Sequence, residues 1–182
     1  MNDLEVLRTG FVAFIDGLWW GLRDNAGALT MYEGYSGGFR QMGKEIAQTR
    51  GGKGPAKSAE IAGEILNAIG LDIDVDGKDI YVNACPIWNR ILERGLEFSF
   101  HVEEICWKPL LQGISDITGS RPVVENSLRL IHIEKTKLDY KISKAKKAFE
   151  DGRIKKGEYD KQKAALEKSA ATVQKCGHYR FE

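Results

Sequence analysis

The sequence predicts an α+β fold: a small antiparallel sheet covered by helices, with a helical hairpin protruding near the C-terminus. Three observations predict it. Through the first fifty residues, and again in shorter blocks later, apolar residues recur every three to four positions, the period of a helix with one buried face. The run L-D-I-D-V-D-G-K-D-I-Y-V-N-A alternates on either side of Asp76-Gly77, the pattern of a β-hairpin. A Lys-rich stretch with helical spacing then lies between two strand-like runs, so it reads as an insertion between antiparallel neighbours.

Each element follows in turn. Leu4, Leu7, Phe11, Phe14, Ile15 and Leu18 form the stripe of a first helix expected to be buried along that stripe. A second helix is expected over about residues 25–48, with Leu29, Tyr32, Tyr35, Phe39, Met42 and Ile46 on its apolar side. Its Gly34, Gly37, Gly38 and Gly43 each cost helix stability, by about 1 kcal/mol relative to Ala. Such a cost points to close approach by another backbone or a ligand, helix packing being the plainer cause. Residues 56–69 form a short helix closed by Gly70. Pro86 suits the first turn of a helix that ends at Gly95. A strand is expected over L-E-F-S-F-H-V, and a helix over residues 103–118 with Pro109 near its start. Strands follow over 122–133 and 172–181. Between them lie two charged helices, residues 138–150 and 158–171, inserted as a hairpin over residues 136–171 of an otherwise single domain spanning 1–182.

Composition narrows the function classes. A chain of 182 residues, 42% hydrophobic and 29% charged, supports one domain with a real core. No apolar run approaches the ~20 residues of a membrane span. The stretch from Gly10 to Leu22 is broken by Asp16 and lacks the basic beginning of a signal peptide, so a cytoplasmic location is expected. An odd number of cysteines, three, points to thiols or metal ligands rather than a disulfide framework. The net charge of +1 is segregated: residues 134–175 carry 13 Lys and Arg against 7 Asp and Glu, and the remainder 14 against 19.

Several motifs are excluded on their spacing. R-G-G-K-G-P has neither the lysine–hydroxyl pair nor the preceding strand of a phosphate loop. D-x-D-x-D-G lacks the closing glutamate of a calcium loop, because Asn83 stands at its twelfth position from Asp72. There is no G-x-S-x-G elbow, no H-E-x-x-H pair and no dinucleotide fingerprint. A Cys/His pair such as Cys106 with His101 or His132 has no local signature, and no catalytic residue is assigned.

Two constellations remain. Cys106 at a helix start, Glu125 in a strand and Cys176 near the end come from separate elements that can meet around a metal ion. His178, two residues from Cys176, can supply a fourth bond, as can Cys85 or His101. The alternative is that Cys85 and Cys106 are small buried hydrophobes, Glu125 pairs with an arginine, and Cys176 and His178 are ordinary strand residues. The aromatics Tyr35, Phe39, Trp88, Phe100 and Trp107 either line a ligand pocket or pack as core.

Four segments, in order, resemble the 4-vinyl reductase-type (hydrocarbon-binding) domains: M-Y-E-G-Y-S-G-G-F-R-Q-M-G-K-E-I-A, I-Y-V-N-A-C-P-I-W, C-W-K-P-L-L-Q-G-I-S-D-I-T-G-S-R-P-V-V-E-N-S-L and C-G-H-Y-R-F-E. The resemblance implies an apolar cavity between helices and sheet, similar to haem–nitric-oxide sensors and trafficking-complex subunits, and a sensor or carrier of small hydrophobic or tetrapyrrole-like molecules. It also implies a structural zinc, with Cys106 and Glu125 matching two family ligands and Cys176 a third. Leu128 stands where the family places a further cysteine.

The functional expectation is therefore a ligand-binding sensor or carrier with zinc as its cofactor. It should form a homodimer through the glycine-rich helix over residues 31–47, since two-fold pairing is the commonest way to bury leftover apolar helix surface. The competing expectation is a transcription-associated or nucleic-acid-binding accessory protein that uses the basic hairpin. That hairpin lacks interleaved aromatics and a recognition helix, which weighs against nucleic acid.

Overall fold

The computed structural model describes residues 2–182 and is an α+β fold in which helices outweigh one small sheet. The chain divides into two compact units, residues up to 128 together with 176–182, and residues 129–175.

In the first unit, α1 (Asp3–Ala26) begins at a capping box in which Asn2 and Glu5 satisfy each other's backbone N–H groups. Gly27, at a φ of 86°, ends α1 and starts α2 (Ala28–Arg50) with no loop between them. α3 (Pro55–Ile69) follows, with proline in its first turn and Gly70 left-handed at its end. β1 (Asp72–Asp76) and β2 (Asp79–Ala84) form the expected hairpin, turning at Gly77 with a φ of 58°. α4 (Pro86–Glu93) is capped by the Cys85 thiol, which accepts from the Trp88 N–H at 3.3 Å. A π turn (Glu103–Trp107) leads into α5 (Lys108–Thr118). Pro109 lacks the N–H that would continue the regular ladder back to Ile105, which accounts for the widened turn just ahead of it. β3 (Pro122–Asn126) and β4 (Gly177–Phe181) complete the sheet, whose order is β1-β2-β4-β3 with every pair antiparallel.

The core lies between this sheet and the helices. Gly177, Tyr179 and Phe181 of β4 point into it, as do Ile80 and Val82 of β2. α2 crosses α5 at very short range. A Cβ on Gly43 would strike the Leu110 carbonyl, and one on Gly113 the Arg40 carbonyl. Backbone packing is thus the reason for Gly43, with Gly113 as its counterpart.

Residues 129–175 contain most of α6 (Leu128–Glu150) and all of α7 (Lys156–Thr172), which turn at Gly152 with a φ of 69°. Ile131, Leu138, Leu166 and Val173 pack together, and Phe149 stacks on Tyr159 at 5.2 Å.

Four sequence expectations are corrected. L-E-F-S-F-H-V is not a strand: the Ser99 and Phe100 N–H groups both return to the Leu96 carbonyl, and the resulting turn buries Phe100 while Phe98 stays exposed. The strand begun at Pro122 stops at Asn126, and residues 128–133 open α6. The last strand starts at Gly177 rather than at Thr172, which still belongs to α7. The α1 stripe is only partly buried. Ile15 is in the core and Phe11 is packed against it, but Leu4, Leu7, Phe14 and Leu18 remain exposed, as does Leu29 at the start of α2.

Candidate functional site

The consecutive helices α1 and α2 present aromatic rings to a shared seam. Trp19 lies 3.9 Å from Phe100 between ring centroids, Tyr35 is 6.2 Å from Phe100 and 6.4 Å from Phe39, and Phe39 is 5.5 Å from Trp107. The Tyr35 hydroxyl donates to the Ile15 carbonyl, tying α2 to α1. Burial, with the Cys106 thiol and Asp16 adding to it, pushes the Tyr35 hydroxyl well above the usual tyrosine range, so it stays protonated.

Beside this seam lies a half-open groove of about 190 Å³. Phe11, Phe14, Ile15 and Leu18 of α1 line it, together with Gly34, Tyr35, Gly38, Phe39 and Met42 of α2. No other residue of the lining carries a hydroxyl, amide or charge besides Tyr35. Among the five expected pocket aromatics, Tyr35 and Phe39 line the groove. Phe100 instead borders a small cavity of about 20 Å³ shared with Ile15, Trp19 and Arg94, room for about one water molecule. Trp19 Nε1 is buried without a hydrogen-bond partner. Trp88 and Trp107 are buried core residues.

The expected metal ligands are distributed differently. β4 alternates, with Tyr179 facing the core and His178 and Arg180 facing the opposite side. Cys106 is fully buried on the core side, near enough to Cys85, Glu103 and Tyr179 to be coupled to them electrostatically. On the other face Asp79 accepts from Arg180 Nε at 2.8 Å and holds His178 Nε2 at 2.6 Å. Tyr81 stacks on the His178 ring at 4.9 Å. Glu125 is the unpaired residue of a bulge in β3, and its carboxylate lies 3.6 Å from Arg180. Cys176 precedes β4 and is half-buried. Among the described residues, no group of three or more His, Cys, Asp and Glu side chains could hold a metal ion.

Burial pushes the Cys85 thiol up to about 12, and burial together with Cys85 and Glu103 pushes Cys106 well up. By their placement, Cys106, Glu125, Cys176 and His178 are not gathered around one point in this structure. The sheet lies between Cys106 and the Glu125–His178 side, and Glu125 has an arginine partner instead. The possible fourth ligands are placed elsewhere too, with Cys85 capping α4 and His101 beside the Phe98 carbonyl.

No protein-family model, no curated protein and no solved structure matches the chain.

Some residues of these two faces had no signal in the sequence. Asp79 becomes the hub of the outer sheet face only because β4 inserts beside β2 and sets Arg180 opposite it. Arg180, followed by His178, holds the Asp79 carboxyl below the ordinary aspartate range. The buried carboxyl of Glu103 was equally illegible, since it stands in a polar-looking E-E pair at the start of a helix. Chemically, the buried thiols are neutral and the His178 ring is occupied by Asp79 and Tyr81. The groove between α1 and α2 offers mainly the burial of an apolar guest.

Proposed function

We propose that the helical body binds a small apolar molecule in the groove between α1 and α2, as a sensor or carrier. The observation that carries this reading is the lining: apolar side chains and glycine, with its one hydroxyl donated to the Ile15 carbonyl. An apolar cavity of about 150 Å³ suffices for benzene, and drug-sized ligands need roughly 300 Å³ or more. At about 190 Å³ the groove has the scale of a substituted single aromatic ring. Among the described residues no helix is long and apolar enough to cross a membrane. Three free cysteines accord with a reducing, cytoplasmic setting.

The nucleic-acid reading of residues 129–175 has weaker support. Phe149 and Tyr159 stack on each other and so are not free as base platforms, and Lys146 and Lys163 sit near the glutamates one helical turn on.

Titration with p-xylene, followed by ligand-observed NMR, tests the proposal. Saturable binding is expected for the parent chain and loss of it for Gly38→Leu, which sets a bulky side chain in the lining. Equal binding by both proteins, or none by a folded parent, would overturn it.

A further inference from the structure

β3 is the last strand in the order β1-β2-β4-β3, so within the sheet only β4 pairs with it. The register decides which of its backbone groups stay free. Arg121 and Glu182 each donate an N–H to the other's carbonyl, while the Phe181 N–H goes to the Lys78 carbonyl beside β2. Backbone groups alternate sides along an antiparallel strand. Val123 therefore faces β4, and Val124 turns both its N–H and its C=O to the open edge, beside the Pro122 C=O.

A cleft of about 510 Å³ lies at that edge. Its size falls in the range of small-ligand sites, roughly 300–1,000 Å³. Pro122 and Val124 line it, together with Gly37 and Arg40 of α2, Glu104 of the π turn and Lys108 of α5. The cleft is on the core side of the sheet, since Val124 pairs with the buried Tyr179. Asp116 accepts from Arg40 Nε and Nη2 and lies 3.2 Å from Lys44, and Glu104 holds Lys108. Arg40, Lys44 and Lys108 thus stand against Asp116 and Glu104, three cations against two carboxylates. Among the described residues Arg40 Nη1 bonds to nothing. The Lys108–Glu104 pair is exposed and therefore weakly held.

We propose that this cleft binds the C-terminal end of an extended peptide from another protein, which pairs with Val124 as a short fifth strand and sets its carboxylate against Arg40. A peptide backbone supplies both the acceptor and the donor that Val124 leaves unmatched, the mode by which sheet edges take up an added strand. The length of the free edge argues for a chain end. Pro122 has no N–H, and Glu125 is the unpaired residue of a bulge, so regular pairing stops on both sides of Val124. A strand passing through gains a single residue pair there. A terminus adds a carboxylate matched to the positive side of the cleft, a charge-assisted contact. The proline and the bulge also bar open-ended strand addition, so the edge admits one short guest. β4 of a second copy is not available for the role, being held between β2 and β3. The cleft shares no lining residue with the groove between α1 and α2.

The probe is a library of N-acetylated hexapeptides, randomised in sequence and ending in a free carboxylate, selected on the full chain. Enriched peptides should bind saturably, slow hydrogen exchange at the Val124 amide, and weaken by about tenfold or more when the terminus is amidated. Val124→Pro removes the outward N–H and leaves the β3–β4 ladder intact, so it should weaken binding by about tenfold in a folded chain. Arg40→Gln should do the same and abolish the preference for carboxylate over amide. Should Val124→Pro unfold, single N-methylation along the enriched peptide makes the equivalent test on the parent, and one amide should prove indispensable. A folded parent that enriches no peptide, binding indifferent to amidation, or unchanged exchange at Val124 would each overturn the proposal. Enrichment of acidic side chains with no need for the free terminus would overturn it as well. p-Xylene should bind the peptide complex as it binds the free chain, and competition between the two would move the peptide to the α1–α2 groove and defeat the assignment.

Discussion

At the crossing of α2 with α5, Gly43 lies against the Leu110 carbonyl and Gly113 against the Arg40 carbonyl, whereas Gly10, Gly17 and Gly21 of α1 face open space. The two regions carry the same residue type at the same thermodynamic disadvantage within a helix. In the first, the disadvantage is offset inside the chain, because two backbones approach to a distance that no Cβ permits. In the second nothing within the chain offsets it. A glycine in a helix therefore marks a close approach only where its surroundings supply the approaching backbone, as at Gly43 and Gly113.

Substitutions at the crossing should have the largest effect on stability. Gly113→Ala must displace backbone rather than a flexible side chain, so a loss of about 3 kcal/mol is expected, read as a lowered denaturant midpoint. A loss under about 1 kcal/mol would mean that α2 and α5 cross more loosely and leave room for a methyl group.

Cys106→Ser, in the π turn next to the crossing, should cost about 2 kcal/mol by setting a hydroxyl in an apolar site. A structural zinc would contribute ~10 kcal/mol of apparent folding energy. A chelator should accordingly leave the melting temperature of the parent unchanged. Stoichiometric zinc in the purified protein, lost together with stability in Cys106→Ser, would contradict the separation of Cys106 from Glu125 and His178 by the sheet.

On the open face the sign reverses. Gly17→Ala should raise stability by up to about 1 kcal/mol, since the added methyl meets nothing and improves helix propensity. Destabilisation instead would show that the face is covered within one chain.

The smallest effect is expected on the outer sheet face. Asp79 titrates below its ordinary value because Arg180 and His178 bond its charged form. Its contribution to stability is therefore present above the unfolded value near 3.8 and is lost as pH falls through the lower folded one. Asp79→Asn should lower stability slightly near neutrality and change little at the acid end, where that contribution is already lost, so the acid limb of an unfolding curve flattens. An unaltered acid limb would mean that the Arg180 and His178 contacts do not hold the charge.

Much of the fold was legible in the sequence, because local spacing encodes local structure. The hairpin at Gly77, the Pro86 and Pro109 helix starts, the Gly70 terminus and the paired charged helices each follow from a period or from a residue with restricted backbone freedom. The F-S-F alternation misled because a turn closed by the Leu96 carbonyl outweighs a three-residue strand pattern. The candidate site was only half legible. Tyr35 and Phe39 could be named as pocket residues from their type and spacing, but the groove beside them depends on how α1 folds back along α2.

By itself, the sequence determined which segments are helix or strand, where most of them start and stop, and which residues are apolar enough to need cover. Only the tertiary structure decided what covers them. It placed Cys106 on the core side and Glu125 and His178 on the other side of the sheet, tied Asp79 to Arg180, consumed Gly43 in a crossing, and left Leu7 and Phe14 bare. The physical reason is that periodicity specifies a face, while the partner of a face is set by long-range packing. β4, arriving after residues 129–175, takes its place between β2 and β3 through contacts with residues far from it in sequence, and no local spacing records them.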